Sequence, residues 1–71
     1  MQDKNGVELK PGDTIDLHQT VNGQSLFIVQ SVEPLEIVYH HNPTRHYEYD
    51  KHAMLAPDRY TGETTWEIIS K

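Results

Sequence analysis

The sequence predicts an all-β domain, and three observations support this prediction. Apolar and polar residues alternate over short stretches, as at Ile15 and Leu17, which is the period of a half-buried strand. Turn dipeptides such as Asn5-Gly6 and Pro11-Gly12 separate these stretches, because glycine reaches positive φ easily and proline presets its own φ. The turn signals recur about every ten residues, a spacing typical of small barrels and sandwiches.

The first half of the chain contains three predicted strands. They cover Val7–Leu9, Asp13–Thr20 and Ser25–Val32. Between the last two, Val21–Gln24 carries Asn-Gly, the strongest short signal for a hairpin. The third strand is the most apolar and ends at Glu33-Pro34, since proline cannot donate a hydrogen bond to a sheet.

The second half continues the pattern with one interruption. A strand is expected at Leu35–His40, a turn at Asn42-Pro43 and another strand at Arg45–Asp50. Asp50 is a suitable N-cap for a single helical turn over residues 51–55, and Pro57 prevents its extension. A turn at Tyr60–Glu63 then precedes a closing strand, Thr64–Ser70.

These elements predict one domain over residues 1–71, a small SH3-like barrel of five to six short antiparallel strands with at most one short helical turn. The chain is too short for an immunoglobulin sandwich, and an oligonucleotide-binding-type barrel is the second choice. The side chains predicted to form the core are Ile15, Leu17, Leu26, Ile28, Val32, Ile37, Leu55, Trp66 and Ile68.

Composition restricts the classes of protein to which the chain belongs. It has no cysteine, which excludes disulfides and thiolate zinc sites. No stretch approaches the roughly 18 apolar residues of a membrane span, and the polar opening Met1–Asn5 does not resemble a signal peptide, so a cytoplasmic location is expected. The formal charge of −5, from eleven acidic and six basic residues, disfavours nucleic-acid binding.

The opening segment Asp3–Gly6, followed by Gly12-Asp13, resembles the start of small YopX-like proteins encoded by phages and mobile elements, and of other SH3-like barrels. The resemblance covers about the first seventeen residues and supports the barrel. It implies a bacterial or phage-related protein. It supplies no catalytic residues.

Aromatic residues are the first candidate for a functional site. Tyr47 and Tyr49 are two positions apart and would share a strand face, and Tyr39 would lie beside them if its strand paired with theirs. Barrels that bind peptides use such aromatic surfaces, although the same tyrosines would also stabilise the barrel by packing across strands. The predicted function is therefore a protein-binding or adaptor module, with a binding surface made of Tyr39, Arg45, His46, Tyr47, Tyr49 and Tyr60.

Histidines are the second candidate, since the chain has five. A hairpin around Asn42-Pro43 would bring His41 (or His40), His46 and Glu48 together as metal ligands, but no established metal-binding spacing is present. A nucleic-acid-associated barrel is a further alternative, and it would need the basic side chains to gather on one face: Lys4, Lys10, Arg45, Lys51 and Arg59.

Catalysis is not expected. The carboxylates lack a spacing that would pair them, the serines lack a nucleophile motif, and the glycines form no phosphate-binding loop. We therefore expect no enzyme activity and no cofactor. The expected partner is a protein, and the chain is expected to be a monomer or a weakly associated homodimer paired through exposed strand edges.

Overall fold

The computed structural model describes residues 1–70, and five antiparallel strands and one short helix make up the regular structure of that part of the chain. The elements are β1 (Thr14–Val21), β2 (Gln24–Val32), β3 (Leu35–Tyr39), β4 (Asn42–His46), α1 (Lys51–Leu55) and β5 (Glu67–Ser70). None of the helices in residues 1–70 is long and apolar enough to cross a membrane.

The strands form one sheet in the order β4-β3-β2-β1-β5. The first four follow one another as hairpins, and β5 returns to pair with β1. Register irregularities interrupt all four pairings, and such bulges bend strands and increase their twist. This arrangement confirms the small all-β barrel that the sequence predicts, including its single helical turn.

Short turns connect β1 to β2 and β2 to β3. Asn22 and Gly23 have φ values of 52° and 77°, the left-handed conformation that both central residues of a tight hairpin turn require. The peptide bond of Glu33–Pro34 is cis, and these two residues separate β2 from β3. Both turns lie where the sequence predicts them.

The core agrees with the prediction in part. Five predicted members are buried, and Val32 and Ile68 are partly buried against them. The structure adds side chains from the first turn, from β2 and β3, and from the segment after β4. The buried cluster is Leu9, Ile15, Leu17, Phe27, Val29, Leu35, Ile37, Tyr39, Tyr47, Leu55 and Trp66.

The prediction of the core face of β2 is wrong. Leu26 and Ile28 are only half-buried, whereas Phe27 and Val29 are fully buried. Phe27 lies opposite the buried Ile15 of β1, and the register of this hairpin places both side chains on the core face of the sheet. Side chains alternate along a strand, so fixing Phe27 inside places both of its neighbours on the other face.

The segment Val7–Leu9 is not a strand of the sheet, contrary to the prediction. It contributes an isolated antiparallel bridge between Gln2 and Glu8. The buried carboxylate of Asp3 explains the difference, because its Oδ1 accepts hydrogen bonds of 2.9 Å from the backbone N–H groups of Asn5 and Val7. These bonds fold the segment into a compact turn. Leu9 contributes to the core from this turn.

The turn between β3 and β4 lies earlier than predicted. His40 and His41 form it, and β4 runs over Asn42–His46 instead of Arg45–Asp50. Pro43 therefore lies within a strand. β4 ends the strand order, and an edge strand tolerates a residue that has no N–H to donate.

The last elements, α1 and β5, complete the fold. The Asp50 carboxylate accepts a 3.1 Å hydrogen bond from the N–H of Ala53, which confirms Asp50 as the N-cap of α1. Leu55 projects from this helix into the core. β5 begins only at Glu67, three residues later than the predicted closing strand, because the backbone before it joins the first turn instead: Lys4 N–H donates to the carbonyl of Trp66 at 3.0 Å.

Candidate functional site

A stack of aromatic rings runs from the core to the surface beside the β3–β4 hairpin. We call Phe27, Tyr39, Tyr47 and Tyr49 the aromatic stack. Phe27 lies 5.0 Å from Tyr39 and 5.9 Å from Tyr47, and Tyr47 lies 5.6 Å from Tyr49, measured between ring centroids. These separations are within the range of favourable aromatic pairs. Phe27 is fully buried, whereas Tyr49 is 64% exposed, so the stack supports a surface aromatic residue from below.

Tyr39, the last residue of β3, is held in place by contacts with three neighbouring side chains. Its hydroxyl oxygen accepts a 2.8 Å hydrogen bond from the side-chain amide of Asn22, so the polar tip has a partner although the residue is only 1% exposed. The guanidinium carbon of Arg45 lies over its ring, 4.6 Å from the centroid. The His41 ring meets it edge-on at 5.7 Å. Tyr39 thus holds a cation from β4 against the barrel.

Tyr47 connects the two ends of the stack. Its N–H donates to the carbonyl of Ile37 at 2.8 Å, which extends the contact with β3 just past the end of β4. Burial raises the pKa of the Tyr47 hydroxyl above its usual value, and the neighbouring Tyr39, Tyr49 and Asp50 add to this rise. The Tyr47 hydroxyl is therefore harder to ionise than that of an exposed tyrosine.

The six residues of the predicted binding surface separate into three groups. Tyr39 and Tyr47 are buried and lie beneath the surface, because the packing of the barrel takes both rings into the core. Arg45, His46 and Tyr49 are exposed on β4 and directly after it. Tyr60 is 88% exposed in a separate loop, with the guanidinium of Arg59 at 6.0 Å from its ring centroid.

The predicted metal ligands do not form a cluster. Among residues 1–70, no group of three or more histidine, cysteine or carboxylate side chains is placed to hold a metal ion. The position of β4 explains this result: His41 belongs to the turn before the strand, and Glu48 lies beyond its end. The β3–β4 hairpin turns at His40-His41, so it does not bring His41, His46 and Glu48 together.

A polar cluster that the sequence did not reveal joins β1 to β5. His18 has a φ of 57°, and its N–H donates to the carboxylate of Asp16 at 2.9 Å. The His18 Nε2 lies 2.7 Å from the Glu67 carboxylate, which also accepts a 3.4 Å hydrogen bond from the Asn5 side chain. The hydrogen bond from His18 is the main reason that the pKa of Glu67 is lowered. Burial opposes it as the next largest effect, and Asn5 and Lys4 lower the pKa by smaller amounts.

The lowered pKa of Glu67 predicts a pH-dependent contribution to stability. A carboxyl group whose pKa is lowered by folding stabilises the fold above its unfolded-state pKa, here 4.5, and this stabilisation is lost as pH falls through the folded-state value. We expect Glu67→Gln to lower the urea midpoint at about pH 6, and the difference from wild type to shrink as pH falls below 4.5. Urea unfolding at several pH values measures it.

Glu63→Gln is the matched control for this measurement, since Glu63 is an exposed carboxylate in the loop before β5. Its urea midpoint is expected to follow wild type throughout. A Glu67→Gln deficit that stays constant down to about pH 3 would contradict an electrostatic role for Glu67 and indicate a packing role instead.

Comparison of the chain with protein families, with characterised proteins and with solved structures finds no match.

Proposed function

We propose that this chain is a small protein-binding module whose contact surface is centred on Tyr49 and includes Arg45 of β4. The observation that carries the proposal is the support of Tyr49: an exposed tyrosine lies against Tyr47, which is itself packed against Phe27 in the core. A single exposed aromatic residue is ordinary on a protein surface. An exposed ring at the end of a continuous stack is held ready for contact.

Tyrosine and arginine are the residue types that carry much of the binding energy in protein interfaces. A tyrosine provides a large contact area with only two side-chain torsions to fix, so its entropic cost on binding is low. The neighbouring strand β4 adds backbone that a partner can reach, because all five of its residues are exposed and it lies at one end of the strand order.

The chain offers a matched pair of tyrosines to test this proposal. Tyr49 and Tyr60 are both exposed, but Tyr49 contacts the aromatic stack, whereas the ring of Tyr60 contacts Arg59 in a separate loop. We expect peptides selected from a random display library against the folded protein to bind Tyr49→Ala about tenfold more weakly than wild type. Tyr60→Ala is expected to bind them as wild type does. Affinities measured by calorimetry or fluorescence anisotropy give the comparison.

Both tyrosines are exposed, so neither variant is expected to lose more than about 1 kcal/mol of unfolding free energy, and urea unfolding verifies that the variants are folded. Equal losses of affinity for the two variants, or no loss for Tyr49→Ala, would contradict a binding surface at Tyr49. Failure to select any peptide that competes for this surface would also contradict it.

The remaining predictions from the sequence complete the proposed description. They are membership of the YopX-like proteins, a bacterial or phage origin, a cytoplasmic location, and binding without catalysis.

A further inference from the structure

The guanidinium of Arg45 is held in place and has no acidic partner in the part of the chain that the structure describes. It lies over the ring of Tyr39, which is itself fixed by Asn22. Within residues 1–70, Arg45 forms no ion pair with a carboxylate and no side-chain hydrogen bond. Lys51, by contrast, lies 3.4 Å from the Glu36 carboxylate. The N–H donors of a preorganised arginine are therefore available to a ligand.

The chain segment that contains Arg45 has no acidic residue. The formal net charge of the protein is −5, yet no acidic residue occurs between Glu36 and Glu48. The same interval contains Arg45 and three histidines, all of them exposed: His40, His41 and His46. The turn at His40-His41 and β4 therefore carry one formal positive charge, that of Arg45, and no negative charge.

We infer that the partner of this module is an acidic extended peptide segment, with one carboxylate bound by Arg45 and a neighbouring apolar or aromatic side chain packed on Tyr49. The inference rests on the proposed function and names the class of its partner. A carboxylate matches the two parallel donors of a guanidinium. An extended segment suits the exposed edge strand β4, where backbone hydrogen bonds add to the contact.

The net charge favours a peptide over a nucleic acid as the source of the anion. A polyanion would place many phosphates near a protein of charge −5, and only one arginine lies on this surface to neutralise them. A peptide needs to carry only one carboxylate at the position of Arg45. Its other contacts, with Tyr49 and with the backbone of β4, do not depend on charge.

The test uses capped heptapeptide pools with a fixed central residue and mixed residues elsewhere, titrated into the ¹⁵N-labelled 71-residue chain. The central residue is Glu in one pool and Gln, which is uncharged and of the same size, in the other. We expect the Glu pool to shift the amide signals of residues 45–49 and to bind about threefold to tenfold more tightly than the Gln pool. Arg45→Gln is expected to remove this difference, and Arg45→Lys to leave part of it.

Arg59→Gln is the matched control, since Arg59 also lies near an exposed tyrosine but in another loop. It is expected to keep the preference for the Glu pool. Equal binding of the two pools would overturn the inference, as would stronger shifts at residues 45–49 with a mixed-sequence oligonucleotide or with inorganic phosphate. Equal binding that still depends on Tyr49 would leave the proposed function standing, because that function needs no carboxylate.

Discussion

Replacing Asp3 by asparagine is expected to lower the free energy of unfolding by about 3 kcal/mol, a large part of the total for a chain of this length. The Asp3 carboxylate is buried and accepts three backbone hydrogen bonds. Two come from its own turn. The third, at 2.9 Å, comes from the N–H of Ile68 in β5, so one side chain joins the first turn to the last strand.

The asparagine side chain has nearly the same shape but only one oxygen. Its NH₂ group would face either the N–H of Ile68 or the N–H groups of the first turn, so donors would meet without an acceptor between them. An unsatisfied buried donor costs about 1–3 kcal/mol, and more where a charged acceptor is lost. Urea unfolding followed by tryptophan fluorescence reports the loss, because Trp66 is buried next to β5.

Asp58→Asn is the control for this experiment. The Asp58 carboxylate accepts hydrogen bonds from the N–H groups of Tyr60 and Thr61, but these lie within its own exposed loop. Water replaces such bonds readily, so a much smaller loss than that of Asp3→Asn is expected. Similar losses for the two variants would contradict the role of Asp3 as the link between the first turn and β5.

Asp3 illustrates which parts of the fold the sequence could predict. Asn5-Gly6 marks a turn through local backbone preference, and the structure has a turn there. Asp3 and Ile68 are 65 positions apart in the sequence, and no local sequence pattern encodes the hydrogen bond between them. The alternation of Val7–Leu9 predicts a strand, but the Val7 N–H donates to the Asp3 carboxylate and the Leu9 N–H to the carbonyl of Met1, so neither pairs with a strand of the sheet.

The errors in β2 and β4 have a different cause, since each involves two competing local signals. β2 has apolar residues on both faces, and the register with β1 decides that Phe27 lies inside. Asn42-Pro43 is a stronger turn signal than His40-His41. Proline is nevertheless compatible with an edge strand, and β4 becomes an edge only through the order of the whole sheet.

The sequence indicates which residues belong to the candidate site better than it indicates how they are arranged. Spacing suggested that Tyr39, Tyr47 and Tyr49 lie close together, and their rings do. Tertiary packing determines which of these three rings are buried, and only Tyr49 stays exposed. The cluster of His18 and Glu67 was not predictable, because 49 positions separate its members.

Trp66 is expected to control the position of the binding surface as well as the stability of the fold. Its indole N–H donates to the carbonyl of Leu55 at 2.8 Å, and both residues are buried. This bond holds the last residue of α1 against the segment before β5. The helix begins directly after its N-cap Asp50, which follows Tyr49, so the same bond limits the movement of the loop that carries Tyr49.

Two substitutions separate these roles. Trp66→Ala removes a large buried ring and is expected to cost about 3–5 kcal/mol, enough to unfold much of the protein. Trp66→Phe keeps an aromatic ring but leaves the Leu55 carbonyl without its donor, and is expected to cost about 1–3 kcal/mol. In Trp66→Phe, we expect amide hydrogen exchange to accelerate most over residues 50–56 and least in β1 and β2, because the helix loses its anchor while the sheet keeps its ladders.

The pattern of exchange distinguishes an anchor from a general stabilising contact. If every amide in Trp66→Phe exchanged faster by the same factor, the hydrogen bond would contribute only to global unfolding, and α1 would not open separately. If the acceleration is confined to α1 and the loop before it, peptide affinity at Tyr49 is expected to fall in Trp66→Phe although Tyr49 itself is unchanged. This loss of affinity would measure the free-energy cost of ordering, on binding, a loop that Trp66 holds in place in the wild-type protein.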